Sequence, residues 1–256
     1  MQRIARLATQ AAGSRRGLGT SASSSSSSDD ARVWSAQGRA PPIAALDAAG
    51  MELVRRRLGN ALARGTPQHM QFKWSDSAGD AAVLMLLCTV DGRASVLFEE
   101  RNNRLAAHGG EVCFAGGKAD ARDASLEHTA LRETREELGL QGERICVLGR
   151  LPPVPNQART LRVHMLVGAV AGHELDVRAL PVNRAEVHRA FALPLDHFYD
   201  ARRRELMRFR DTDVRIPTYA SDKPGLRVWG LTAFLLYEAL CRIGNAANDR
   251  PPTPRL

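Results

Sequence analysis

The chain has 256 residues, of which 44% are hydrophobic and 25% charged, and carries a formal net charge of +8. That suits one well-buried soluble domain of about 200 residues with tails. It excludes a membrane-spanning helix, because the longest strongly apolar run, 81–90, is about half the length a span requires. Cys88, Cys113, Cys146 and Cys241 are scattered, with no C-x-x-C pair and no histidine at zinc spacing, which argues against structural zinc and for free thiols in a reducing compartment. The basic balance draws anionic partners, such as phosphorylated metabolites, nucleic acid or an anionic membrane face, or else reflects solubility plus a basic targeting peptide. Aromatic residues make up 5% and do not interleave with basic ones, so no base-stacking surface and no specific nucleic-acid partner is expected.

Residues 1–28 contain Arg3, Arg6, Arg15 and Arg16 and no acidic residue, and Ile4, Leu7, Ala8 and Ala11 form an apolar helical stripe ahead of a serine tract. This reads as an organelle transit peptide, mitochondrial rather than peroxisomal, followed by a linker to residue 43. The globular domain is expected over 44–244, with a polar, proline-rich tail over 245–256.

Within the domain, Leu53, Val54, Leu58 and Leu62 predict a helix over 44–64 with Arg55, Arg56 and Arg57 mostly on its wet side. Residues 82–90 and 94–100 flank Asp91-Gly92 and predict a β-hairpin. A helix over 124–138 follows, with Asp123 as the expected N-cap, Gly139 as the stop and Leu126, Ala130, Leu131 and Leu138 as its core side. Strands are expected at 144–151 and 160–170, a short helix or turn at 183–191, and a last helix over 229–243 with Trp229 and Phe234 in the core. Interleaved strands and helices give an α/β sandwich.

The chemistry concentrates in 110–140. A double glycine, Gly116-Gly117, runs into the helix that carries Glu133, Glu136 and Glu137 at i, i+3 and i+4, three carboxylates expected on one side. Like charges at that spacing repel, and a hard divalent cation with oxygen ligands, Mg²⁺ or Mn²⁺, is the economical counterpart. The glycines let backbone approach a metal or phosphate closely. Arg101, Arg104 and Lys118 are candidate phosphate grips, His108 is a candidate for a bond to a phosphate or to a loop carbonyl, and Glu111 for the metal shell or a cap or loop role. Arg202, Arg203, Arg204, Arg208 and Arg210 form a separate basic cluster, either a phosphate contact or a wet basic face.

Arg132-Glu133-Thr134-Arg135-Glu136-Glu137-Leu138-Gly139-Leu140 resembles the second half of the Nudix hydrolase box, G-x5-E-x7-R-E-U-x-E-E-x-G-U, with Thr134 in place of the first bulky apolar residue U. The first half departs: Gly117 lies one residue too far upstream of Arg132, and Asp123 stands where a Glu would be. Gly116, Gly117, Lys118, Asp120, Asp123, Thr129, Ala130, Leu131, Arg132 and Glu133 are instead similar to the longer form found in the coenzyme A pyrophosphatase branch. The upstream signature of that branch resembles Arg101, Leu105, His108, Gly110, Glu111, Val112 and Phe114. Asn102, Ala106 and Ala115 depart from it.

This resemblance implies a Nudix-type α/β/α sandwich with a mixed sheet and cleavage of the diphosphate bond of coenzyme A or acyl-coenzyme A with Mg²⁺ or Mn²⁺. It implies Glu133 and Glu137 as principal ligands, Glu136 as third ligand or water-orienting base, and Arg132, at i−4, as the group holding Glu136. The three departures keep open another nucleoside diphosphate substrate, such as an oxidised nucleoside triphosphate or capped RNA. A catalytically silent RNA- or ribosome-binding module is the rival of a different class, and the intact acidic cluster argues against it.

Overall fold

Strand β1 (Gly79–Val90) is apolar at nearly every position because both of its faces are covered. Successive side chains point to opposite sides of a strand. Ala82, Leu84, Leu86 and Cys88 enter one core cluster, and Ala81, Met85 and Leu87 enter another. In this computed structural model, which describes residues 43–244 apart from 44, 68, 69, 173, 209–214 and 222–224, the first cluster lies under helix α2 (Leu126–Leu138). The second lies under helices α1 (Ala48–Ala63) and α3 (Gly230–Ile243). This is the expected α/β/α sandwich. The transit-peptide region, Arg210 and the 245–256 tail fall outside the described residues.

The main sheet has eight strands. Its central path runs β3 (Val112–Cys113), β2 (Arg93–Arg101), β1, β7 (Leu161–Val170), β5 (Ile145–Arg150). Strand β4 (Ala115–Lys118) pairs with β1, β6 (Val154–Pro155) with β7, and β8 (Val187–Pro194) with β2. Among the described residues only β1 and β7 run parallel, so the sheet is mixed. A second, three-stranded sheet joins β9 (Arg204–Arg208), β10 (Arg215–Ala220) and β11 (Arg227–Val228). The β1–β2 hairpin closes as the sequence predicts. Val90 pairs with Arg93 around a two-residue turn, and Asp91 and Gly92 both take positive φ, 50° and 69°.

Several expectations need correction. The segment expected as a helix or turn at 183–191 is mostly strand β8, whose Val187, Phe191 and Leu193 are buried where it pairs along β2. Helix α2 begins two residues later than expected, and its N-cap is Ser125, whose hydroxyl accepts from the His128 N–H at 3.1 Å. Asp123 is held elsewhere. It accepts from the Asp120 N–H, the Thr129 hydroxyl and the Arg132 guanidinium. Trp229 is not in the core. It is 44% exposed at the N-cap of α3, whereas Phe234 does pack against the core. Leu62 leaves the expected apolar stripe and is exposed, while Val54 and Leu58 earlier in α1 are buried.

Candidate active site

Two glycines place a strand edge against the acidic helix. At Gly116, φ is 152° and a Cβ would lie 2.3 Å from the Ala82 carbonyl oxygen and 2.6 Å from Val83 Cα. A side chain there would push β4 off β1, with which Gly116 is paired at Val83. Gly117 makes room for something else: its Cβ would fall 2.4 Å from Glu133 Oε1. Both glycines stand at close approaches, to backbone at one and to a carboxylate at the other.

The Gly116 N–H donates to Glu137 Oε2 at 2.8 Å. Glu137 is 2% exposed, and burial, with the charge of Glu99 next, pushes its carboxyl up to about 9; the Gly116 N–H and Arg101 pull the other way. Glu133 is also raised, chiefly by burial, against the pull of Arg132. Glu137 therefore sits where a positive charge is wanted and little protein charge supplies it, while Glu133 has the Arg132 guanidinium beside it. Arg101 is the nearest help, with Nη1 3.9 Å from Glu137 Oε1 while its buried Nε has no hydrogen-bond partner.

Arg132 organises the opposite side. Its guanidinium donates through Nε and Nη2 to the two oxygens of Asp123 (2.9 and 3.0 Å), to Glu136 Oε2 (3.0 Å) and to the Lys118 carbonyl (3.3 Å), and lies 2.9 Å from Glu133 Oε1. A planar fork of five donors can serve this many acceptors; an ammonium cannot. Asp123, its side chain 3% exposed, is driven well below the usual carboxylate range by Arg132 first. Asp123 thus serves as the anchor of Arg132 rather than as a cap.

The three helix glutamates do not share one environment. Glu133 and Glu137 turn inward, while Glu136 is 48% exposed and rests on Arg132, as the i, i+4 spacing allows. As the side chains stand, no three His, Cys, Asp or Glu among the described residues converge tightly enough to enclose a metal ion. Thr134, in the place of a bulky apolar residue, is buried and satisfied by donating to the Ala130 carbonyl at 2.7 Å.

The loop candidates separate. His108 has a positive φ of 59° and an exposed ring whose Nδ1 is 3.1 Å from Glu111 Oε2, so both residues brace the loop. Arg104 is exposed and, with Asn102, Asn103, Arg184, Val187 and His188, lines a cavity of about 310 Å³ that none of the helix glutamates reaches. Lys118 is exposed at the end of β4, its carbonyl tied to Arg132. Arg202 is occupied by Asp200, and with Arg203, Arg204 and Arg208 it belongs to β9 and the turn before it, outside this site.

Sequence reasoning missed Glu99. It lies on β2, fully buried, and burial raises it to about 7 against a hydrogen bond from the Cys113 thiol. The charges of Glu186 and Glu133 act on it as well. The signal was available: β2 alternates between two buried faces, so a charged residue two positions after Leu97 breaks an apolar rule.

Comparison with known proteins agrees with this geometry. The NUDIX domain family model matches residues 79–211, which span β1, the glycine turn, α2 and β8. The chain is 35% identical to Nudix hydrolase 3 of Caenorhabditis elegans over 65% of itself and 74% of that protein. It is 38% identical to the mitochondrial coenzyme A diphosphatase NUDT8 of Homo sapiens over 76% of itself and 78% of that protein. Among solved structures, a MutT/nudix family protein from Enterococcus faecalis aligns with a TM-score of 0.41 at 20% identity, covering 80% of this chain and 76% of its own. A loop-to-helix carboxylate site on a mixed sheet and a family match across the same elements place this chain in the Nudix hydrolase family.

Proposed function

We infer that this chain hydrolyses the diphosphate bond of coenzyme A and acyl-coenzyme A in mitochondria, releasing 3′,5′-ADP and (acyl-)4′-phosphopantetheine. The observation that carries the reading is the pair Glu133 and Glu137 on one side of α2, Glu137 buried and bonded to the Gly116 N–H and Glu133 set against Gly117 of β4. The substrate class and the compartment draw on the likeness to the mitochondrial coenzyme A diphosphatases of Homo sapiens and Mus musculus. The acid-free, arginine-rich start of the chain supports the same compartment.

Hydrolases of this family use divalent metal ions. The residues fit one in kind: oxygen donors, of which Glu137 is raised by burial and then by Glu99 and Glu133, the half-buried Glu133 is raised chiefly by burial, and a buried Glu99 Oε2 has no hydrogen-bond partner. Glu133 and Glu137 would hold the cation, with Glu136 as third ligand, and Mg²⁺ or Mn²⁺ matches the donors. When bound, such an ion neutralises phosphate oxygens and lowers the pKa of attacking water.

The chain's own residues supply the rest. Arg132 fixes Glu136 and Glu133 at a set distance, so Glu136 can orient a water and accept its proton. The water oxygen bonds to one phosphorus, the bond from that phosphorus to the bridging oxygen breaks, and the leaving phosphate keeps the electron pair. Arg101 points at Glu137 with an unpartnered Nε and is suited to a phosphate oxygen. Arg104, Lys118 and the Gly116-Gly117 backbone flank the approach, and His108 with Glu111 keeps the loop in place.

Incubation of the folded protein with coenzyme A and Mn²⁺, followed by chromatography, tests the reading. 3′,5′-ADP is expected, and its absence overturns the assignment. The Glu137→Gln variant should remain folded and lose most turnover. The departures at Asn102, Ala106 and Ala115 favour a second reading, another nucleoside diphosphate derivative as substrate, and a panel ranked by kcat/KM separates the two.

A further inference from the structure

On β2, Val96 and Phe98 face the α1/α3 core and Leu97 faces α2. Strand alternation carries Glu99 and Arg101 to the α2 side, beside Glu137. An apolar residue would suit that position. Instead Glu99 is 0% exposed, opposite Cys113 in the β2–β3 pairing. The Cys113 thiol donates to Oε1 at 3.3 Å, and Oε2 has no hydrogen-bond partner. A buried carboxylate oxygen left without a donor is costly, and native structures retain one where something else uses it. The charge of Glu99 acts directly on Glu137, and that of Glu133 acts on Glu99, so Glu99 lies within electrostatic reach of both helix glutamates, although among the described residues no three such groups close around an ion as the side chains stand.

We propose that Glu99 is an additional oxygen ligand of the divalent cation, joining Glu133 and Glu137 from outside the loop-helix segment, with the Cys113 thiol fixing its rotamer so that Oε2 is left to ligate. This rests on the hydrolase reading above. It adds to the helix glutamates a donor from a rigid central strand, which cannot move with the loop.

The test is a Mn²⁺ titration of the intact chain, with free ion read by electron paramagnetic resonance, on wild type, Glu99→Gln and the exposed-residue control Glu143→Gln. Glu99→Gln keeps shape and loses the charge. Its Mn²⁺ affinity should fall at least ~10-fold, as removal of even an outer-shell metal partner does, while the control matches wild type. Its melting temperature in EDTA should not fall, since a neutral amide replaces a repelled carboxylate. Equal Mn²⁺ affinity in wild type and Glu99→Gln overturns the proposal. Should that variant fail to fold by circular dichroism, Glu99→Asp keeps the charge and shortens its reach, and unchanged affinity there overturns the proposal equally. Failure of the hydrolase reading is separable. Coenzyme A turnover with Mn²⁺ affinity insensitive to Glu99 rejects this inference alone, and Glu99-dependent Mn²⁺ binding without 3′,5′-ADP rejects the substrate alone.

Discussion

Alanine at Gly117 and at Gly116 should have opposite consequences, one functional and one structural. At Gly117 the backbone is not in the left-handed region, so an alanine is not strained by its dihedrals. Its methyl would lie 2.4 Å from Glu133 Oε1, 2.6 Å from Cδ and 3.0 Å from Oε2. Ordinary contact begins near 3.4 Å, so the carboxylate must retreat by roughly 1 Å, and misplacement on that scale costs on the order of 10²-fold in rate. The carboxylate is the far end of a flexible side chain held by Arg132 at 2.9 Å, so it can move without disturbing the sheet. The unfolded chain also loses entropy, which offsets about 0.4–1 kcal/mol of any cost. Gly117→Ala should therefore drop kcat about 100-fold with a melting temperature within a few degrees of wild type. At Gly116 the methyl meets main chain that cannot yield, and the φ of 152° excludes it in any case. Gly116→Ala should lower the melting temperature markedly and lose the Gly116 N–H contact to Glu137. Steady-state kinetics and differential scanning fluorimetry on both variants decide the matter. Wild-type turnover in Gly117→Ala would refute the idea that Glu133 must sit against this stretch of β4.

Three further outcomes follow from the same structure. In EDTA, Glu99 and Glu137 hold protons more tightly folded than unfolded, raised from 4.5 to about 7 and about 9. The stability they contribute is complete below about pH 4.5 and is lost as pH rises through 7 and 9, so melting temperature should fall over that window and Glu137→Gln should flatten the fall. Added Mn²⁺ should raise the melting temperature more at pH 8.5 than at pH 6, and an equal rise would count against cation binding at these groups. Arg132→Lys keeps the charge and loses the fork onto Asp123, Glu133 and Glu136, so kcat should fall roughly 100-fold through misplaced carboxylates while KM changes little; near-normal kcat would show that the charge alone suffices. In urea titrations, Leu58→Ala should cost about 2–5 kcal/mol because Leu58 is fully buried against Gly149. Leu62→Ala, at an exposed site, should stay within about 0.5 kcal/mol.

Legibility in the sequence followed the range of the interactions. The hairpin at Asp91-Gly92 and the end of α2 at Gly139, whose φ is 69° and whose N–H returns to the Arg135 carbonyl, are written in neighbouring residues. Strand β8 was not legible in this way. Its run Val187-His-Arg-Ala-Phe-Ala-Leu-Pro lacks a clean polar–apolar alternation, and it becomes a strand because β2, some ninety residues earlier, offers an open edge. Asp123 looked like a cap from its position, and only the folded chain brings the Arg132 guanidinium, the Thr129 hydroxyl and the Asp120 N–H to it at once. Trp229 fell in helical register with core residues, but the helix begins after it and leaves it at the surface.

Local order along the chain determined the chemistry: a glycine pair, a helix and glutamates at fixed spacing, since helix geometry sets which residues are neighbours before any tertiary contact forms. Tertiary structure decided which carboxylates matter together. Packing of α2 on the sheet turned Glu133 and Glu137 inward, left Glu136 on Arg132 at the surface, and brought in Glu99 from a strand whose sequence neighbours are all apolar or charged for other reasons. Burial and electrostatic coupling depend on what lies across the interface, and no spacing rule within one segment contains that information.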